Sequence, residues 1–256
     1  MVSIWKEEKA GNAVFDIKLA GVVLQIDNLF EQIRQQCEPY LTTEKPIQLQ
    51  VRVTQQELEE EKRQQNGCYG EAAFSDAYLE TVCAYRQIAY KLVKQRVLLL
   101  HGSAVALDGR GYVFLGRSGM GKTTQTRLWL QYFGSRVKVI NGDKPLLRFE
   151  PPDKGAQRII ACGTPWNGKE GYGCPEEVPL EALFFLRQSV TPSARILSQE
   201  EALEALVHQL LQPKELELLE PYFEMVQSLL ERLTCYELAC DQTVASVKLA
   251  ESLIKN

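Results

Sequence analysis

Gly116-Arg117-Ser118-Gly119-Met120-Gly121-Lys122-Thr123 fits the pattern G-x-x-x-x-G-K-[ST] in full. Upstream, Tyr112-Val113-Phe114-Leu115 is a short apolar run suited to a strand. Downstream, Thr123 to Phe133 has helical periodicity, with Leu128 under Tyr132 and Trp129 under Phe133. Strand, glycine loop and helix in that order are what a phosphate-binding loop requires. Glycines let the backbone wrap so that several N–H groups face phosphate oxygens, and the helix N-terminus adds partial positive charge. On this reading Gly116, Ser118, Gly119, Met120, Gly121, Lys122, Thr123 and Thr124 bind nucleotide. Lys122 reaches the β- and γ-phosphates, and the Thr123 hydroxyl ligates Mg²⁺. The alternative is a plain strand-to-helix turn that happens to contain Lys-Thr.

Such a loop needs a carboxylate for its metal, normally at the end of a neighbouring strand. Asn141-Gly142-Asp143 directly follows the apolar run Val137-Lys138-Val139-Ile140, and Asp143 is the expected ligand. Asn-Gly between two apolar runs is also a strong hairpin signal, so a type I′ turn at Asn141-Gly142 stands beside that reading. Residues 97 to 115 read as a hairpin turning at Asp108-Gly109-Arg110-Gly111. With Leu107 opposite Tyr112, His101 comes opposite Ser118, which makes it a candidate general acid or base at the nucleotide.

The segment Gly163-Thr164-Pro165-Trp166-Asn167-Gly168-Lys169-Glu170-Gly171 is rich in glycine, with one aromatic and one cation. It suits a mobile flap in which Thr164, Trp166 and Asn167 meet a substrate and Lys169 neutralises charge on a transferring phosphoryl group. Equally, Trp166 anchors an ordinary surface loop and Lys169 is a solvated charge.

With 45% hydrophobic and 24% charged residues, the 256-residue chain has a folded rather than a disordered composition, enough for one large or two small domains. A net charge of -4 gives no electrostatic reason to expect nucleic acid as a partner. The start, Met1 to Glu8, lacks a signal-peptide core, and apolar stretches such as Ala182 to Leu186 are too short to span a bilayer, so a cytoplasmic protein is expected. Seven cysteines without C-x-x-C point to small buried side chains, and two histidines (His101 and His208) argue for oxygen-held Mg²⁺ over a transition metal. His208 reads as a structural or solvent residue. A homo-oligomer is compatible with this composition.

Toward the N-terminus, alternation at Phe15, Ile17 and Leu19, the break at Ala20-Gly21, and Val22 to Ile26 predict a hairpin. After a helix, a half-buried strand is expected at Ile47 to Val53. Residues 55 to 70 read as a solvated helix and loop that marks a module boundary. Ser75 caps a helix whose apolar stripe is Tyr78, Val82, Tyr85, Ala89 and Leu92. Short strands are expected at Val137 to Ile140, Pro145 to Phe149, Arg158 to Cys162 and Leu183 to Phe185, with a surface turn at Pro151 to Gly155. A capping box at Ser198 to Glu201 opens one helix; two more cover about Glu215 to Leu233 and Thr243 to Ile254.

The order of His101-Gly102-Ser103-Ala104, the loop Gly116 to Thr123, a strand ending in Asp143, and Gly163-Thr164-Pro165-Trp166 resembles the catalytic domain of bacterial HPr serine kinase/phosphorylase. It is closer still to the shorter HPr-kinase-like proteins, whose fold is similar to that of phosphoenolpyruvate carboxykinases. The resemblance covers about Leu98 to Leu211. It implies an α/β fold: a P-loop core with a mixed sheet and C-terminal helices over residues 96–256, and a small α+β N-terminal region over residues 1–95. The implied activity is Mg-ATP-dependent transfer of the γ-phosphate to a hydroxyl, a serine of a protein or peptide or a small molecule. His101 would help to deprotonate the acceptor and Lys169 would stabilise developing charge. The chain departs from the family at Gly142, where HPr kinase has the first of two adjacent aspartates, and the family's second long signature has no match. A non-catalytic ATP-binding regulatory module is therefore the alternative. A carboxykinase-like lyase is a third reading, for which the chain is short.

Overall fold

The computed structural model describes residues 9–69, 74–151 and 158–255. The expectations at Met1 to Glu8, and at most of the turn from Pro151 to Gly155, lie outside the described residues. The chain is mixed α/β with mixed sheets, and it separates into two compact units, Met1–Gln95 and Arg96–Asn256.

In the first unit, β1 (Lys9–Leu19) and β2 (Val22–Phe30) form an antiparallel hairpin. Ala20 and Gly21 turn it with φ of 49° and 80°, the left-handed pair of a two-residue type I′ turn. After the short helix α1 (Glu31–Gln36), β3 (Leu49–Arg52) adds parallel to β2, Leu24 opposite Leu49; it is shorter than the alternation from Ile47 to Val53 suggested. Helix α2 (Gln55–Tyr69) is not wholly solvated, as its composition predicted: Leu58 is fully buried, and buried Glu61 pairs with Arg86. Helix α3 (Asp76–Val93) starts where Ser75 Oγ accepts from Tyr78 N at 3.2 Å. Val82, Ala89 and Leu92 are buried as expected, but Tyr78 is exposed, because the packed face is centred toward Leu79 and Ile88.

The second unit opens with β4 (Val97–Leu99), β5 (Gly102–Leu107), β6 (Arg110–Leu115), helix α4 (Lys122–Phe133) and β7 (Val137–Asn141). β8 (Leu146–Phe149), β9 (Ile159–Cys162), the long β10 (Glu177–Gln188) and β11 (Ser193–Ile196) follow. Helices α5 (Gln199–Val207) and α6 (Leu216–Arg232), strand β12 (Thr234–Cys240) and helix α7 (Val244–Ile254) complete it. One set of strands runs β7-β5-β6-β10-β12-β11, in which β6, β10 and β12 are parallel to one another. The start of β10 also pairs antiparallel with β9, which continues through β8 to β4.

Side-chain pattern explains why β10 serves both neighbourhoods. From Glu177 to Ala182 exposed and buried residues alternate, while Leu183 to Leu186 are all buried. Alternation suits a strand with one wet face, and a continuous apolar run suits one covered on both faces between β6 and β12. Only that inner run, Leu183 to Phe185, was legible as a strand. Helix α4 covers this sheet: fully buried Trp129 packs edge-on to Phe114, with ring centres 5.2 Å apart, in a core that includes Tyr112, Phe184, Leu238 and Val247. A buried pair, Ser103 Oγ to Thr126 Oγ1 at 2.7 Å, joins β5 to α4, and Gln125 Nε2 donates to Ser246 Oγ of α7 at 2.7 Å.

Two local expectations are corrected. The β5–β6 hairpin turns on Asp108 and Gly109 alone (φ 50° and 79°), with Leu107 opposite Arg110 rather than Tyr112. The register moves by two residues, which preserves facing and carries His101 toward Gly116 in place of Ser118. Asn141-Gly142 is not a hairpin turn either, since β7 pairs with β5 whereas β8 pairs with β4 and β9. The capping box forms as expected: Glu201 N donates to Ser198 Oγ at 3.2 Å, and Ser198 N donates to Glu201 Oε2 at 2.9 Å. His208 is exposed at the end of α5. Cys37, Cys83, Cys162, Cys235 and Cys240 are buried, and Cys174 is half-buried. Among the described residues no helix is long and apolar enough to cross a membrane.

Candidate functional site

Strand β6 ends at Leu115, and the chain turns through Gly116 to Gly121 into α4. Gly119 and Gly121 have φ of +83° and +104°, values that L side chains rarely adopt, and a Cβ on either would meet nothing within 4 Å. Conformation rather than crowding requires glycine at both, and the loop's surface there is open. Gly116, also at positive φ (+148°), is crowded: a Cβ would lie 3.1 Å from Met120 Cβ and 3.5 Å from Leu186 O. The first main-chain bond of α4 runs from Gln125 N to Gly121 O at 2.8 Å. The amides of Lys122, Thr123 and Thr124 therefore precede the helix ladder, where orphan N–H groups and the helix dipole favour an anion.

Lys122 folds back over the loop, and its Nζ donates to Gly116 O at 2.7 Å. Burial lowers its pKa below the usual lysine value; Asp143 offsets part of that and Lys144 adds to it. These three side chains share one electrostatic environment although Lys122 and Asp143 lie 21 positions apart in sequence.

His101 and Asp143 meet directly, Nε2 to Oδ1 at 3.3 Å, while Gly102 N donates to Asp143 O at 3.0 Å. Lys144 Nζ donates to Asp143 Oδ2 at 3.0 Å. Burial by itself would raise the Asp143 pKa, but the His101 hydrogen bond and the Lys144 charge outweigh it and hold the carboxyl down at about 2. Asp143 is thus a fixed anion at neutral pH.

Asn141 aims that turn. It is fully buried; its Nδ2 donates to Thr164 O at 3.0 Å and Thr164 Oγ1 at 2.9 Å. Its Oδ1 accepts from Asp143 N at 2.8 Å and Lys144 N at 2.6 Å. Fully buried Thr164 in turn donates from Oγ1 to Lys144 O at 2.8 Å. Thr164 is therefore part of the scaffold beneath Asp143, and Trp166 is buried beside it. Asn167 is half-buried, its Nδ2 donating to Gly171 O at 3.3 Å. A Cβ at Gly168 would lie 3.2 Å from Asp143 Cβ, so this loop closes over the aspartate. Lys169, the next residue, is exposed.

Sequence reasoning missed Lys144, Asn141 and Gln209. Gln209, with its amide nitrogen turned toward acceptors, donates to Gly116 O and His101 O, both at 3.2 Å, and its main-chain O accepts from His101 N at 2.6 Å. Lys144 was within reach of inspection, as the residue next to Asp143. Nothing in the local pattern marks Gln209, which the fold brings in from beyond α5.

A divalent cation at Asp143 and Thr123 would meet one carboxylate and one hydroxyl. That donor set suits Mg²⁺, which takes few protein ligands and completes its shell with phosphate and water. Among the described residues no three His, Cys, Asp or Glu side chains gather into a metal-holding group. No family model matches the chain, and no curated protein matches it.

Proposed function

We propose that residues 96–256 form a P-loop phosphotransferase core of the HPr-kinase and phosphoenolpyruvate-carboxykinase type, which uses Mg-ATP to phosphorylate a hydroxyl acceptor. The observation that carries this reading is the meeting of three sequence-distant groups at one loop: Lys122 on Gly116 O, the ionised Asp143, and His101 on Asp143. The amides of Gly119 and of Gly121 to Thr124, together with the Lys122 ammonium, bind the phosphates, while the Met120 amide is held within the loop by Arg117 O at 3.1 Å. Asp143 and Thr123 would hold Mg²⁺, which when bound neutralises phosphate charge. A carboxyl held at about 2 is too weak a base for a hydroxyl proton at neutral pH, so that task falls to the His101 imidazole. Positioning and electrostatics dominate phosphoryl transfer, and loss of the base slows it without abolishing it. Exposed Lys169 has the charge to stabilise the transferring group once a ligand draws it in.

Gly142 favours a second reading, a non-catalytic ATP-binding regulatory module. A Cβ there would lie 2.7 Å from Asn167 O, so backbone occupies the space where a second acid would project. Incubation with Mg²⁺, γ-labelled ATP and serine, peptides or a cell extract separates the two. Transfer lost in Asp143→Asn and reduced in His101→Ala supports the kinase; tight Mg-ATP binding without transfer to any acceptor supports the module.

A further inference from the structure

Where β10 and β12 end, Gln188, Ser189, Val190, Asp241, Gln242 and Thr243 line an open cleft of about 640 Å³. Cleft volumes of roughly 300–1,000 Å³ are usual for small-molecule sites. It belongs to the same sheet edge as the glycine loop: β6, β10 and β12 are parallel, and ligands of such sheets bind beyond the strands' carboxyl ends. Leu115 pairs with Phe185 and Gln188 with Cys240, so a step from loop to cleft crosses one to two strand spacings, about 5–10 Å. The two are tied together, since Gln188 Nε2 donates to Gly119 O at 2.9 Å.

We infer that this cleft receives the base and ribose of the nucleotide whose phosphates occupy the Gly116–Thr123 loop; the inference rests on that loop reading. Strand order supplies direction. His101 and Asp143 flank the loop on the β5–β7 side, and the cleft flanks it on the β10–β12 side, so the terminal phosphate points to the former and the nucleoside to the latter. The lining chemistry suits a base. Val190, at 97% exposure, presents an apolar face. Asp241 Oδ1 and Oδ2 each accept one bond from Thr243, at 3.1 and 2.8 Å, which leaves each oxygen a lone pair for an exocyclic amine.

Amide NMR spectra of the full chain, titrated separately with Mg-ATP and Mg-tripolyphosphate, test it. Mg-ATP should shift the amides of Val190, Gln242 and Thr243 together with those of Gly119 to Thr123, and tripolyphosphate only the latter. Val190→Asn, at an exposed position that leaves the fold intact, should weaken Mg-ATP roughly five- to tenfold and leave tripolyphosphate affinity unchanged. If both ligands move the same loop amides and Val190→Asn leaves Mg-ATP affinity unchanged, the cleft assignment is wrong and the loop reading survives. If neither ligand moves the loop amides, the loop reading fails and takes the cleft with it.

Discussion

Two glycine-rich loops lie beside Asp143, one coupled to it through the charge of Lys122 and one packed on it at Gly168, and they differ in what most of their glycines do. In Gly116–Thr123, Gly119 and Gly121 have positive φ and open space around them. In the 163–173 loop, Gly168 and Gly171 also have positive φ (83° and 65°), but the base of the loop uses glycine for close approach: a Cβ at Gly163 would fall 1.9 Å from Cys174 O, and one at Gly142, which faces this loop, 2.7 Å from Asn167 O. The sequence marks the first as a phosphate loop by its motif and leaves the second open between a mobile flap and an ordinary surface loop. The first has open space at Gly119 and Gly121; the second is largely packed scaffold, with Thr164 and Trp166 buried and its tip exposed.

Substitution by alanine sharpens the contrast. Gly163→Ala should cost the most stability, about 3 kcal/mol or more in chemical denaturation, because neither backbone can yield. Gly142→Asp, which puts an acid where HPr kinase carries one, should cost about 2 kcal/mol and give no gain in phosphotransfer. A stable, more active Gly142→Asp would show that the 163–173 loop moves aside easily and would erase the contrast. Gly119→Ala should cost only about 1–2 kcal/mol, the penalty of a left-handed residue in open space, with its larger effect on nucleotide affinity read by titration.

These differences explain what the sequence disclosed. The strand-loop-helix order, the capping box and the Asp143 position depend on residues near one another in the chain, and all were legible. The β5–β6 register was misread by two residues because Asp108-Gly109-Arg110-Gly111 contains a two-residue turn within a four-residue turn signal. Strand β12 went unread since Thr234 to Cys240 lacks clear alternation and gains its meaning by pairing with β10. Gln209 and the Asn141–Thr164 bonds arise from tertiary contacts that no local period encodes.

The smallest expected effect is electrostatic. Asp143 has its pKa lowered to about 2, so its contribution to stability is present above the unfolded-state carboxyl pKa, near 4, and is lost as pH falls through 2. With the side chain nearly one-third exposed, the gain is about 1 kcal/mol. The stability difference between wild type and Asp143→Asn should shrink as pH falls from 4 to 2.

The central claim is that the Gly116–Thr123 loop binds nucleotide phosphates with Asp143 as its metal partner, and calorimetric titration of Mg-ATP tests it most directly. Wild type should bind; Lys122→Ala should lose about 100-fold in affinity, close to 2.7 kcal/mol. Asp143→Asn should weaken Mg-ATP while leaving metal-free ATP nearly unaffected. Equal Mg-ATP affinity in wild type and Lys122→Ala, or no binding in wild type, would contradict the account.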